Sequence, residues 1–133
     1  MNETNEQAFL SLVRAWDDGG QERVRAKIRE LFTDSTVWVQ PGLPTAVGPD
    51  EAIAIVDTWG AAFANYELEV SHVASTDTAV LIERFETFRK PDGSVLMMLP
   101  VVGVAKFRDG KIEHWREYYD SAALPRNDNS AGA

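Results

Sequence analysis

Three charged residues stand where strand patterning calls for apolar ones, and together they could run acid–base chemistry. In the run Val80–Phe88, alternate positions carry Val80, Ile82, Arg84, Glu86 and Phe88 on one face. Leu81, Glu83, Phe85 and Thr87 occupy the other. The first face is apolar at its ends and charged in its middle, which is costly unless the charges pair. Near the C-terminal end, Trp115, Glu117 and Tyr119 share a face opposite His114, Arg116 and Tyr118. Two carboxyl groups around one guanidinium in an apolar site would be pulled in three directions. Burial raises a carboxyl pKa, the arginine lowers it, and two like charges favour one shared proton. One carboxylate and one carboxylic acid would result, a pair suited to opening a strained ring. The same spacing also fits an ion-pair ladder on the solvent face of a sheet, and periodicity leaves both arrangements open.

The elements that must position these residues follow from hydrophobic period. Phe9, Leu12, Val13 and Trp16 mark a first helix, closed by Gly19-Gly20. Val24, Ile28, Leu31 and Phe32 mark a second. Lys27 to Glu30 reads there as a solvated face. A short strand is expected near Ser35 to Val39. Ala52, Ile53, Val56, Trp59, Gly60 and Phe63 mark a third helix, started by Gly48-Pro49-Asp50. Strands are then expected over Glu67–Ala74, Val80–Arg89, Ser94–Phe107 and Lys111–Asp120. Turns fall at Pro91-Asp92-Gly93 and Asp109-Gly110, and a bend is expected at Pro100 or Gly103. Two helices, a strand, a helix and four antiparallel strands make an α+β domain rather than a doubly wound sheet. A curved mixed or antiparallel sheet packed on the helices would leave a blind pocket for an apolar ligand.

Composition narrows the function. The 133 residues make one domain, read as residues 1–124 with a flexible tail over 125–133. There is no cysteine, hence no disulfide, thiolate nucleophile or cysteine metal site. The two histidines, His72 and His114, lack the i,i+4 spacing of a metal pair and read as surface residues. No metal or cofactor is expected. Thirteen basic and 21 acidic side chains leave a formal charge of −8, which argues against a nucleic-acid partner or an anionic membrane surface. The polar N-terminus does not read as a signal peptide, and the longest uncharged run, Ser94–Ala105, is too short to span a bilayer. A soluble, cytoplasmic domain is expected, acting on a neutral or apolar small molecule or on another protein. No nucleophile elbow or glycine-rich phosphate loop is present.

Three segments together resemble limonene epoxide hydrolase, in the nuclear transport factor 2-like (cystatin-like, SnoaL-like) superfamily of cone-shaped α+β domains. They are Glu83-Arg84-Phe85-Glu86, Leu99-Pro100-Val101-Val102-Gly103-Val104, and Gly110-Lys111-Ile112-Glu113-His114-Trp115-Arg116-Glu117-Tyr118-Tyr119-Asp120. The resemblance spans about Phe9 to Asp120. The last segment is shared widely across the superfamily; the Arg-x-acid pair with an acid two residues after the tryptophan is narrower. The resemblance implies a cofactor-independent epoxide hydrolase that adds water directly to a small or medium apolar epoxide. Glu117 falls at the base that activates water, Glu86 at the acid that protonates the epoxide oxygen, and Arg84 at the bridging arginine. The family carries aspartate at both acid positions; this chain carries glutamate. Its water-holding tyrosine and asparagine are Trp38 and Gln40 here, and the indole can only donate. Phe88, Leu99, Val101 and Tyr119 are implied as pocket walls, with Met97 and Met98 as adaptable contacts. A homodimer is the family habit. A substrate hydroxyl in place of water would make the chain an epoxide-opening cyclase with the same carboxylates. A non-catalytic small-molecule-binding dimer is the reading from another class. A ketosteroid isomerase reading fails because Gln40 stands where its base should be.

Overall fold

The structure is a computed structural model that describes residues 4–60 and 65–124. The tail 125–133 and Phe63 of the expected third helix lie outside the described residues. Helix α1 spans Asn5–Val13 and opens on a capping box: the Thr4 side chain accepts from Gln7 N, and Gln7 Oε1 accepts from Thr4 N. Its buried stripe is Ala8, Phe9, Leu12 and Val13. Trp16, expected to end this helix, belongs to α2, which spans Ala15–Leu31. The helical path breaks at Gly20, whose φ of 71° lies in the left-handed region. The glycine pair therefore kinks α2 where it was expected to close α1. Lys27, expected on a solvated face, is buried along its stem and reaches Glu30 at 3.0 Å.

β1 (Phe32–Val39) begins three residues earlier than expected, taking Phe32 out of the helix, and a two-residue strand β2 (Ala46–Val47) pairs with it. α3 covers Gly48–Gly60. The remaining strands are β3 (Asn65–Ser75), β4 (Ala79–Arg89), β5 (Val95–Arg108) and β6 (Lys111–Tyr118), followed by a 3₁₀ turn at Ser121–Ala123. They form one curved, open, mixed sheet in the order β2-β1-β6-β5-β4-β3. Among the described residues, only the β1–β6 pair is parallel. The β5–β6 hairpin turns on Asp109 (φ 53°) and Gly110 (φ 79°), consecutive positive values that match the right-handed twist of the strands.

β5 keeps its register through Pro100 and Gly103; its register irregularities fall at its ends. Pro100 lies before Val102, where β6 begins to pair, so β5 has only β4 beside it there and the missing N–H is tolerated. Alternation on β4 is strict: Val80, Ile82, Arg84, Glu86 and Phe88 are all buried. They face the helices, with Phe9, Leu12, Ile28, Val56 and Trp115 among the core that covers them. Among the described residues, no helix is long and apolar enough to cross a membrane.

Candidate active site

The concave face of the sheet and the three helices enclose a cavity of about 580 Å³. Its wall is mostly apolar and aromatic, with Trp16, Trp38, Trp59, Tyr66, Phe88 and Trp115 contributing. Two expected wall residues that flank the charges in the sheet, Leu99 and Val101, line it, as do Phe88 and Tyr119. Met97 lines it as well. Met98 does not: strand alternation turns it to the outer face, where it is 52% exposed.

Strand register brings the three charged residues together. Arg84 pairs with Val101 and Glu86 with Leu99 across β4–β5, while Gly103 pairs with Glu117 across β5–β6. Arg84 Nε donates to Glu86 Oε2 at 2.7 Å. Arg84 Nη1 donates to Glu117 Oε2 at 3.2 Å, and Nη2 donates to Glu117 Oε1. One planar guanidinium thus grips Glu117 with its fork and Glu86 with its edge, which arginine does and lysine cannot. All three side chains are buried, at 5%, 11% and 4% exposure for Arg84, Glu86 and Glu117. The outer-face ladder, the other arrangement open to these residues, is taken instead by Glu83, which meets His72 in solvent.

Fully ionised, the cluster carries one net negative charge in an apolar wall. Burial pushes the Glu117 carboxyl up; the two Arg84 donations oppose that, and the Glu86 charge adds to it. The Trp115 indole N–H lies beside Glu117 and also favours its anion, but closes no hydrogen bond. Burial alone would weaken the hold of Arg84 on its proton, but Glu117 and then Glu86 more than reverse this and raise it. Arg84 is a fixed cation. Two carboxyl groups sharing one cation in this way can, as a pair, hold one proton on one member and accept another on its neighbour.

Gly103 makes this possible. A Cβ there would lie 2.5 Å from Glu117 Oε2, 2.9 Å from Arg84 Nη1 and 3.2 Å from Phe9 Cζ. The residue is needed for this close approach.

Trp38 and Gln40 lie on the cavity wall, both buried. Trp38 stacks on Trp115 with ring centroids 4.5 Å apart and planes 10° apart. The Trp38 Nε1 and Gln40 Nε2 donors are buried without a partner. Tyr119 follows β6 and donates from its hydroxyl to the Pro41 carbonyl at 2.9 Å, tying the cavity rim to the loop after β1. Its phenol is pushed up to about 12 by burial, then by Glu117 and Glu86.

Tyr66 was not singled out by sequence. Its hydroxyl donates to Glu86 Oε2 at 3.1 Å. It pairs in register with Phe88, and their rings pack with centroids 5.0 Å apart. The strand β3 starts one residue before Tyr66; reading that strand from Glu67 left the tyrosine out. Among the described residues, no three His, Cys, Asp or Glu side chains gather as a metal site.

Solved structures share this architecture. An LEH-like epoxide hydrolase of M. tuberculosis is 18% identical, with 91% of this chain and 89% of that one covered and a TM-score of 0.64. A SnoaL-like polyketide-cyclase candidate from Jannaschia sp. CCS1 is 20% identical over 92% and 93%, with a TM-score of 0.72. A hypothetical protein of ketosteroid isomerase-like fold from Catenulispora acidiphila, solved with trimethylamine, is 15% identical over 91% of each chain, with a TM-score of 0.74. At these identities the likeness establishes the fold. The sequence model of the limonene-1,2-epoxide hydrolase catalytic domain matches residues 5–127, nearly the whole chain, and on that match the protein belongs to the limonene-1,2-epoxide hydrolase family.

Proposed function

We propose that the protein is a cofactor-independent epoxide hydrolase. The observation that carries this reading is one buried guanidinium joining two buried carboxyl groups in the wall of an apolar cavity. Family membership and the fold shared with an LEH-like epoxide hydrolase support it. Glu117 takes a proton from water as the water oxygen bonds to an epoxide carbon and that carbon–oxygen bond breaks. Glu86 gives its proton to the ring oxygen, and Arg84 holds both carboxyl groups in place. The product is a vicinal diol, and no covalent enzyme intermediate forms. The cycle closes when the proton gained by Glu117 is exchanged for one on Glu86. Glutamate in place of aspartate keeps this chemistry with one more methylene. The apolar wall suits a small or medium apolar epoxide.

Trp38 and Gln40 remain the proposed water-positioning residues. A second reading follows from the buried, unpartnered donors on both. If neither reaches water, a hydroxyl of the substrate itself could open the ring, and the chain would be a cyclase. A panel of epoxides with and without an internal hydroxyl separates the two. Diols from simple epoxides support hydrolysis. Cyclic ethers from hydroxy-epoxides alone support cyclisation. Ligand binding with no turnover of any epoxide would leave a binding domain and sink both.

We also propose that the cytoplasmic form is a homodimer that buries the outer sheet face, where Leu81, Phe85, Met98 and Tyr118 are exposed. Sedimentation as a monomer at assay concentration would contradict this.

A further inference from the structure

Glu86 meets its surroundings unequally at its two oxygens. Oε2 accepts from Arg84 Nε at 2.7 Å and from the Tyr66 hydroxyl at 3.1 Å. Oε1 has no donor among the described residues and is not among the buried polar atoms that lack a partner, so it is the oxygen left open toward the cavity that Glu86 lines. Arg84 cannot be spared from this task, because its two terminal nitrogens are committed to Glu117. Tyr66 reaches Glu86 from a different strand, with its ring packed against Phe88 at 5.0 Å and Trp16 at 6.5 Å. Burial, and then the charge of Glu86, push the phenol upward, so it stays a neutral donor.

We infer that Tyr66 is a positioning residue: it holds Glu86 by Oε2, so that Oε1 carries the transferable proton toward the substrate. This role rests on the epoxide-opening reading above. When Oε1 gives its proton to the ring oxygen, negative charge develops on Glu86. The O–H of Tyr66 and the Nε–H of Arg84 are already aimed at the oxygen that shares that charge. Preorganised donors of this kind need no rearrangement as the proton leaves. The other ionisable groups bearing on Glu86 are Glu117 from β6 and Tyr119 just beyond it. Neither bonds to Oε2, so Tyr66 is the donor whose loss Arg84 alone must cover.

Tyr66→Phe keeps the ring and its packing and removes the donor. A hydrogen bond to a charged group, felt partly in the transition state, predicts a fall in kcat of about tenfold with KM changed less than about twofold. A fall in kcat matched by a comparable rise in KM or by a loss of Tm would mean a merely structural role and overturn the inference. An infrared measurement decides without turnover. The carboxyl C=O band of Glu86, identified by its loss in Glu86→Gln, should shift in Tyr66→Phe; an unshifted band overturns the inference. If the wild-type protein opens no epoxide, the hydrolase reading fails, and the infrared result alone decides whether Tyr66 holds Glu86.

Discussion

Strand β4 carries two acids three residues apart, and they live in different worlds. Glu83 points outward and pairs with His72 at 2.7 Å, with side chains 52% and 83% exposed. Glu86 points inward and pairs with Arg84 at the same distance, 2.7 Å, with both side chains nearly covered. The geometry of the two pairs is alike; the medium is not. Water screens the outer pair, and such pairs contribute about 0–1 kcal/mol. The inner cluster has lost its water, so each partner is needed to offset the burial of the others. The same alternation that sends Glu83 to solvent sends Glu86 to the cavity, where the charge is expensive and where the proposed chemistry would take place.

The largest expected break in that contrast is chemical. Glu117→Gln or Glu86→Gln should each lower kcat by about 10²–10⁴-fold, the usual weight of a general acid or base. Glu83→Gln should leave kcat unchanged. Retained activity in either inner variant, measured on the best epoxide of a panel, removes that residue from the mechanism.

Arginine tests the same contrast through stability. Arg84→Met leaves two buried carboxyl groups without their cation and should cost about 3–5 kcal/mol in urea denaturation at neutral pH. Arg89 bonds Glu67 at 2.7 Å on the exposed side, and Arg89→Met should cost less than about 1 kcal/mol. Equal costs would show that burial does not separate the two regions.

Gly103→Ala sharpens the geometry. Its new Cβ would collide with Glu117 and Arg84 at 2.5 and 2.9 Å, against groups that are themselves held in place. Overpacking should cost about 1–3 kcal/mol, with activity reduced by about tenfold or more through displacement of Glu117. Wild-type stability and turnover in this variant would show that the cluster has slack.

The smallest effect is the pH dependence of stability. Burial raises Glu117 in the folded state, so the native protein binds a proton there more tightly than the unfolded chain does. The stability tied to that proton is fully present below the unfolded carboxyl value of about 4.5 and is lost as pH rises through the folded value. Glu117→Gln should flatten this slope in a series of Tm measurements, whereas Glu83→Gln should not. A slope unaltered in Glu117→Gln contradicts the assignment.

Much of this was legible in the residues. Strict alternation on β4 announced which side chains share a face, and the cost of an Arg-x-Glu pair within an apolar face marked the site. Periodicity could not say which face was buried; the covering helices decide that. The helix boundaries were less legible, because the stripe Phe9 to Trp16 keeps its period across Arg14, where α1 ends, and Gly20 bends α2 instead of ending α1. Tyr66 was missed because its partner is 20 residues away, and only the β3–β4 register brings it to Glu86. Gly103 reads as a bend in a strand until Glu117 is placed across from it. Met98 beside Met97 shows the converse: adjacent residues of one kind serve opposite faces.

The central claim is that water itself, deprotonated by Glu117, attacks the epoxide. Single turnover in ¹⁸O-labelled water, with protein in excess of substrate, tests it most directly. The account predicts labelled diol from the first turnover and no label in any protein carboxyl group. Unlabelled diol with ¹⁸O incorporated into a glutamate would mean a covalent ester intermediate and would contradict it.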